Sequence, residues 1–175
     1  AAAAAADVKS PIVLHFHGGG FCVGSAAAPH THAFCRTMSL ASRCLWVSVD
    51  YRLAPEHKLP AAYCDGIAAF RWLATSDDPW LSGHGDLGAV FLAGESAGAT
   101  MVHYVAGEVA KQQAPGKLPA IAGLVLVHPA FPQERPAFDP GSANLSGARV
   151  RFYHTSALPE GAEYGHPLMN PLHPE

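Results

Sequence analysis

Between Ala89 and Thr100 the chain reads Ala-Val-Phe-Leu-Ala-Gly-Glu-Ser-Ala-Gly-Ala-Thr, an apolar run that enters a Gly-x-Ser-x-Gly turn and continues as an Ala-rich segment. Little else satisfies this order than a strand, a sharp turn and a helix. The glycines at 94 and 98 leave room for a tight backbone, and the serine between them is presented at the end of a strand. Ser96 is therefore a candidate nucleophile, and the same pattern is compatible with a plain N-cap serine ahead of a helix.

The flanking sequence repeats the alternation. Pro11–His17 is a β-branched and aromatic run that stops at Gly18-Gly19-Gly20, which predicts a buried strand entering a glycine loop. Apolar residues Ala33, Phe34, Met38 and Ala41 predict a helix over 29–44, and Leu45–Tyr51 a second strand. Pro60 suits the first turn of a helix reaching Ala74, with Tyr63, Ile67, Phe70 and Ala74 on one side, and Asp77-Asp78-Pro79 reads as its stop. Residues 89–93 form the third strand, and Met101, Val102, Val105, Val109 and Ala110 the buried stripe of the helix after Ser96, closed by Pro115-Gly116. Ile121–Val127 is a near-continuous apolar run of the kind found in parallel sheets covered on both faces. Strands alternating with helices give an α/β fold with a mostly parallel sheet, whose ligands sit beyond the carboxyl ends of the strands. From Pro132 onward the pattern dissolves into proline-rich loop or a short-helix insertion.

Composition narrows the function classes. With 49% hydrophobic and 14% charged residues and a net charge of -3, the 175-residue chain offers no electrostatic case for nucleic acid or an anionic membrane. No apolar stretch approaches the roughly 18–20 residues of a membrane span. The four cysteines, Cys22, Cys35, Cys44 and Cys64, stand singly, as expected of reduced and mostly buried thiols in a cytoplasmic protein. The Ala1–Ala6 run lacks the parts of a secretory signal, and residues 1–10 are set aside as low complexity, leaving 11–175 as one partial domain.

Chemistry follows from pairing the two glycine motifs. Acyl transfer from a serine needs a nucleophile, a base, a group orienting the base and donors for the oxyanion. The backbone of His17-Gly18-Gly19-Gly20 can turn N–H groups toward a developing negative charge, and the Ala97 N–H behind the nucleophile would add another. A flexible glycine turn is the bland alternative for the triplet alone. His15-x-His17 and His30-x-His32 have metal-like spacing, yet no acid or cysteine is placed to complete a site, so neither a metal nor another cofactor is expected.

The motifs His17-Gly-Gly-Gly-Phe21, Asp50-Tyr-Arg-Leu-Ala-Pro-Glu56, Leu59-Pro-Ala-Ala-Tyr63 with Asp65, and Gly94-Glu-Ser-Ala-Gly98 resemble the hormone-sensitive-lipase-like branch of the alpha/beta hydrolases. Phe21–Ser25, Ser48–Arg52, Asp77–Leu81, Leu126–Pro129 and His166–Pro171 are similar, more narrowly, to the plant carboxylesterase group that also gave rise to the gibberellin receptor. The resemblance implies a serine hydrolase acting through an acyl-enzyme on a small-molecule ester. It assigns Ser96 as nucleophile, Gly19, Gly20 and Ala97 as oxyanion-hole donors with Gly18 shaping that loop, and His17 as a structural histidine. Asp50, Arg52 and Glu56 brace the loop, and Phe21, Cys22 and Phe131 border the substrate pocket. The family's Asp and His follow two further strands, and none of the acids or histidines after Ser96 matches them, so the chain is read as a central portion with little activity by itself. His103 and His128 are expected to pack or cap rather than act as bases. The alternatives are a hormone receptor of the gibberellin type, whose loop resembles Gly-Gly-Ser instead, and a truncated pseudoenzyme.

Overall fold

The computed structural model describes residues 8–111, 118–131, 147–163 and 165–172. The Ala1–Ala6 run, the stop at Pro115-Gly116 and the proline-rich stretch 132–146 lie outside the described residues. The elements are β1 (Ser10–Phe16), α1 (Pro29–Ser42), β2 (Leu45–Val49), α2 (Ala61–Thr75), α3 (Pro79–His84), β3 (Gly85–Glu95), α4 (Ala97–Lys111), β4 (Ile121–Val127) and α5 (Gly147–Ala157).

All strand pairs are parallel, in the order β2-β1-β3-β4. The chain runs outward from β1 to β2, then returns across β1 to lay down β3 on its other side. The strand order therefore reverses between β1 and β3, the place where an open α/β sheet leaves a crevice at its carboxyl edge. The glycine loop leaves β1 at that crevice, and Ser96 leaves β3 beside it.

Alternation along β1 sorts side chains between two layers. Ile12, Leu14 and Phe16, with Val90 and Leu92 of β3, join Tyr63, Phe70 and Leu73 of α2 and Met101, Val102 and Val105 of α4 in one buried cluster. His15 points to the opposite layer, where its ring meets Phe34 and Cys35 of α1 and Trp46 of β2. Helices thus cover both faces, as β-α-β crossovers require. Fully burying aliphatic side chains such as these contributes on the order of 1.5–3 kcal/mol each.

Several sequence expectations change. The α1 stripe is rotated, since Thr31 and Cys35 are buried while Phe34 remains 43% exposed and Ala33 and Ala41 face water. The helix seats on the sheet through Thr31 and Cys35, and Phe34 lies at the margin, where its ring meets His15 and Trp46. Ala110 is exposed at the end of α4 because the contact with the sheet stops at Val109. Asp77-Asp78-Pro79 starts a helix as well as ending one: the Asp78 carboxylate accepts from the N–H groups of Trp80 and Leu81, each at 2.9 Å, and Pro79 occupies the first turn of α3. β3 begins at Gly85 rather than 89. Gly85 and Asp86 pair with Ser10 and Pro11, residues 87–89 loop out, and Val90 resumes opposite Ile12, an irregularity that the glycines and aspartate made look like a break. β4 is only partly covered among the described residues. Among the described residues only β3 pairs with it, and Leu124, Val125 and Val127 remain 43%, 50% and 44% exposed. Of the cysteines, only Cys35 is buried.

Candidate active site

The two turns that meet at the crevice have no room for alternatives. Ser96 carries φ 53°, in the left-handed region that a non-glycine residue enters at a cost of roughly 1–3 kcal/mol. Its backbone is fixed on both sides to hold that conformation. The Ser96 N–H donates to Val127 O at 3.0 Å, and Ser96 O accepts from the N–H groups of Ala99, Thr100 and Ala130 at 3.0, 3.2 and 3.3 Å. A β-carbon at Gly94 would lie 2.4 Å from the Gly98 carbonyl, so α4 can turn back over β3 only if Gly94 has no side chain. Ser96 is partly exposed, and among the described residues no side chain hydrogen-bonds its hydroxyl. Ala97 is fully buried as the first residue of α4, where its N–H has no intrahelical acceptor.

The glycine loop lies directly against this turn. A β-carbon on Gly18 would stand 3.5 Å from Ser96 Cβ and 3.1 Å from Glu95 O. Gly19 has φ 124°, and a side chain there would strike Val23 O at 1.9 Å; its own carbonyl accepts from Cys22 and Val23 N–H groups at 3.1 and 3.0 Å. Gly20, at φ 62°, sits under the ring of Tyr153 from α5. The Gly18 N–H donates to Glu95 Oε1 at 2.7 Å, so it is engaged within the loop.

His17 is 1% exposed and braces the loop from beneath. Its Nδ1 donates to Gly18 O at 2.7 Å, its ring stacks on Tyr51 at 4.3 Å, and the Tyr51 hydroxyl donates to His17 O at 2.6 Å. Burial pushes the His17 imidazole below its ordinary pKa against the opposing pull of the Gly18 carbonyl, Asp50 and Glu95, which keeps it neutral. Burial also pushes the Tyr51 phenol far up, so it stays a donor.

The bracing expected of the Asp50–Glu56 motif has particular partners. Asp50 Oδ1 accepts from Ala26 N–H at 2.9 Å, and Arg52 binds Asp65 of α2 through both Nε and a 2.7 Å Nη2 contact. Glu56 is exposed.

The three residues expected at a pocket rim separate. Phe21 is 1% exposed and packs edge-on against Tyr63 in the core. Cys22 is half-buried with Sγ 3.8 Å from Tyr153 O, under α5. Phe131 meets His103 edge-on at 5.4 Å and borders a cleft of about 350 Å³ between α4 and the 166–171 segment. That cleft runs along the body of α4 and does not include Ser96 or the glycine loop. His103 and His128 are exposed, and His154 is buried in α5.

Nothing local in the sequence marks the parts played by Glu95, His15 or Tyr153. Glu95 occupies an unconstrained position of the pentapeptide, and the spacing of His15 with His17 suggests only a metal ligand. Period-two alternation was the available signal for His15, since it points a polar residue into a helix-covered layer and demands a partner there.

This fold and this strand-turn-helix serine place the chain in a known class. A family model described as alpha/beta hydrolase fold matches residues 13–175, and the chain belongs to that family. Probable carboxylesterase 13 of Arabidopsis thaliana is 40% identical over 149 residues, covering 81% of this chain and 45% of that protein. Probable carboxylesterase 6 of the same plant is 41% identical over 172 residues, covering 94% and 50%. Among solved structures, the hyperthermophilic esterase from Pyrobaculum calidifontis superposes with TM-score 0.79 at 29% identity, covering 95% of this chain and 53% of that one. The chain spans about half the length of the curated relatives it matches.

Proposed function

We propose that the chain carries the nucleophile and oxyanion hole of a serine carboxylesterase acting on a small-molecule ester. The observation that carries this reading is Ser96, held at positive φ between β3 and α4, with the glycine loop of β1 packed against its β-carbon. In this reading the Ser96 hydroxyl attacks the ester carbonyl while a base takes its proton. The N–H groups of Gly19, Gly20 and Ala97 stabilise the tetrahedral oxyanion, with Gly18 shaping the loop. Collapse expels the alcohol, which takes the proton the base holds, and a water deprotonated by the same base then hydrolyses the acyl-enzyme, releasing the acid and returning the proton to Ser96. Preorganised donors of this kind are worth roughly 3–4 kcal/mol each in comparable enzymes.

Among the described residues no histidine hydrogen-bonds the Ser96 hydroxyl, so turnover by this chain alone is expected to be slow, because nucleophile and base act as a unit. Relatives named carboxylesterase and an esterase neighbour support the ester as substrate class. The free cysteines fit a reducing, cytoplasmic setting. An organophosphonate probe followed by peptide mass mapping tests the assignment against Ser96→Ala. Slow modification confined to Ser96 is expected. An unmodified Ser96 overturns the nucleophile role, and rapid stoichiometric modification overturns the slow turnover.

A further inference from the structure

Glu95 has no role in the scheme above, yet it is the residue through which the two turns are joined. Its Oε1 accepts from the Gly18 N–H at 2.7 Å, and its Oε2 accepts from His15 Nε2–H at 2.9 Å. His15 is 1% exposed, and its Nδ1 lies 3.3 Å from Ser48 Oγ and 3.4 Å from Cys35 Sγ, both able to donate to it. That arrangement selects the tautomer with its proton on Nε2, aimed at Glu95. The carboxylate is thus clamped from β1 at one oxygen and spends the other on the first amide of the glycine loop.

We propose that Glu95 is a positioning residue for the oxyanion hole: clamped by His15, it anchors the Gly18 N–H and so fixes the Gly19 and Gly20 amides beside Ser96. This rests on the esterase reading. The chemistry explains why an acid is tolerated there. A bare carboxylate next to a developing oxyanion would oppose it, whereas one whose two oxygens each accept a donor has its charge partly dispersed. Burial acts to raise the Glu95 pKa, and the His15 and Gly18 bonds outweigh it, holding the carboxyl below the usual carboxylate range. The titratable groups that feel Glu95 are His15 on β1, His17 after it, Cys35 on α1 and Tyr51 after β2. Asp50, which bonds Ala26 N–H and acts on His17 and Tyr51 as Glu95 does, is a second carboxylate near the loop, so the loss of the Gly18 titration in Glu95→Gln assigns it to Glu95.

The test is amide NMR on the ¹⁵N-labelled chain. In the wild type the Gly18 amide proton should move with a midpoint below the ordinary carboxylate range. In Glu95→Ala, Gly18 exchange with solvent should rise by about tenfold or more, with Gly19 and Gly20 resonances displaced. Glu95→Gln, which still offers an acceptor, should restore the protection and abolish the titration. Unchanged Gly18 protection in Glu95→Ala overturns the proposal. Should that variant not fold, the other pair decides: a Gly18 amide that fails to titrate in the wild type, or still titrates in Glu95→Gln, overturns it equally. In parallel, phosphonate modification of Ser96 should slow about tenfold in Glu95→Ala and recover in Glu95→Gln, and an unchanged rate in Glu95→Ala overturns the positioning role. A wild-type Ser96 that never reacts sinks the esterase reading while leaving the NMR result to judge the anchor.

Discussion

Gly98, in the first turn of α4, lies so close to the end of β1 that a β-carbon there would sit 2.0 Å from the Phe16 carbonyl oxygen. The obstacle is backbone, so no side-chain rotation relieves it. This contact sets how tightly the helix behind Ser96 seats on the strand that delivers the glycine loop. Gly98→Ala should therefore cost about 3 kcal/mol or more, or prevent folding. Gly107, in the same helix with open space around its Cα, should gain up to about 1 kcal/mol on substitution by Ala. Urea unfolding of the two variants measures the contrast, and a tolerated Gly98→Ala would show that α4 can shift.

The Tyr51 hydroxyl bonds the His17 carbonyl in a buried setting, and its ring covers the His17 imidazole. Tyr51→Phe keeps the stacking and removes the donor, leaving the carbonyl with an unmet bond. We expect a loss of about 1–3 kcal/mol in denaturant unfolding. A loss below a few tenths would mean that water replaces the hydroxyl.

His154 on α5 is 3% exposed, and burial lowers its pKa to about 4. The folded state thus keeps it neutral while the unfolded chain takes up a proton below about pH 6.5. Stability contributed by the neutral ring is present above that pH and falls as pH drops toward about 4, in total by about 3 kcal/mol. The depressed His17 imidazole adds in the same direction, and the stability that Glu95 and Asp65 contribute through their lowered pKa values begins to be lost as pH falls through the ordinary carboxylate range. Melting temperatures at pH 7 and 4.5 should differ in the wild type and differ less in His154→Phe. Equal wild-type values at the two pH values would refute the assignment.

The Arg52–Asp65 pair links the end of β2 to α2 through several contacts, but the Arg52 side chain is 50% exposed. Solvent screening limits its worth, and Arg52→Ala should shift the urea unfolding midpoint only slightly, and less still at high salt. A larger, salt-independent loss would indicate that the guanidinium packs rather than pairs.

Much of the architecture was legible in the residues. The strand-turn-helix around Ser96 and the glycine loop after β1 followed from local backbone demands: glycine where side chains cannot fit, and apolar runs of strand length. Local signals misled where one sequence serves two states. Asp78-Pro79 both stops α2 and starts α3, and Gly85–Gly88 looks like a break although β3 passes through it. Phe21, which the family resemblance puts at the pocket border, is buried and packs edge-on against Tyr63, a contact set by the tertiary fold.

The tight turn at Ser96 and its flanking glycines were determined by the sequence itself, because they depend on sterics within a few residues of chain, and the parallel order followed from the alternation of strand-length and helix-length runs. The joining of Glu95 to Gly18 and His15 and the brace of Tyr51 under His17 were decided by tertiary structure alone. These partners are 77, 80 and 34 residues apart, brought together by sheet register and the reversal of strand order between β1 and β3, and no local propensity encodes them.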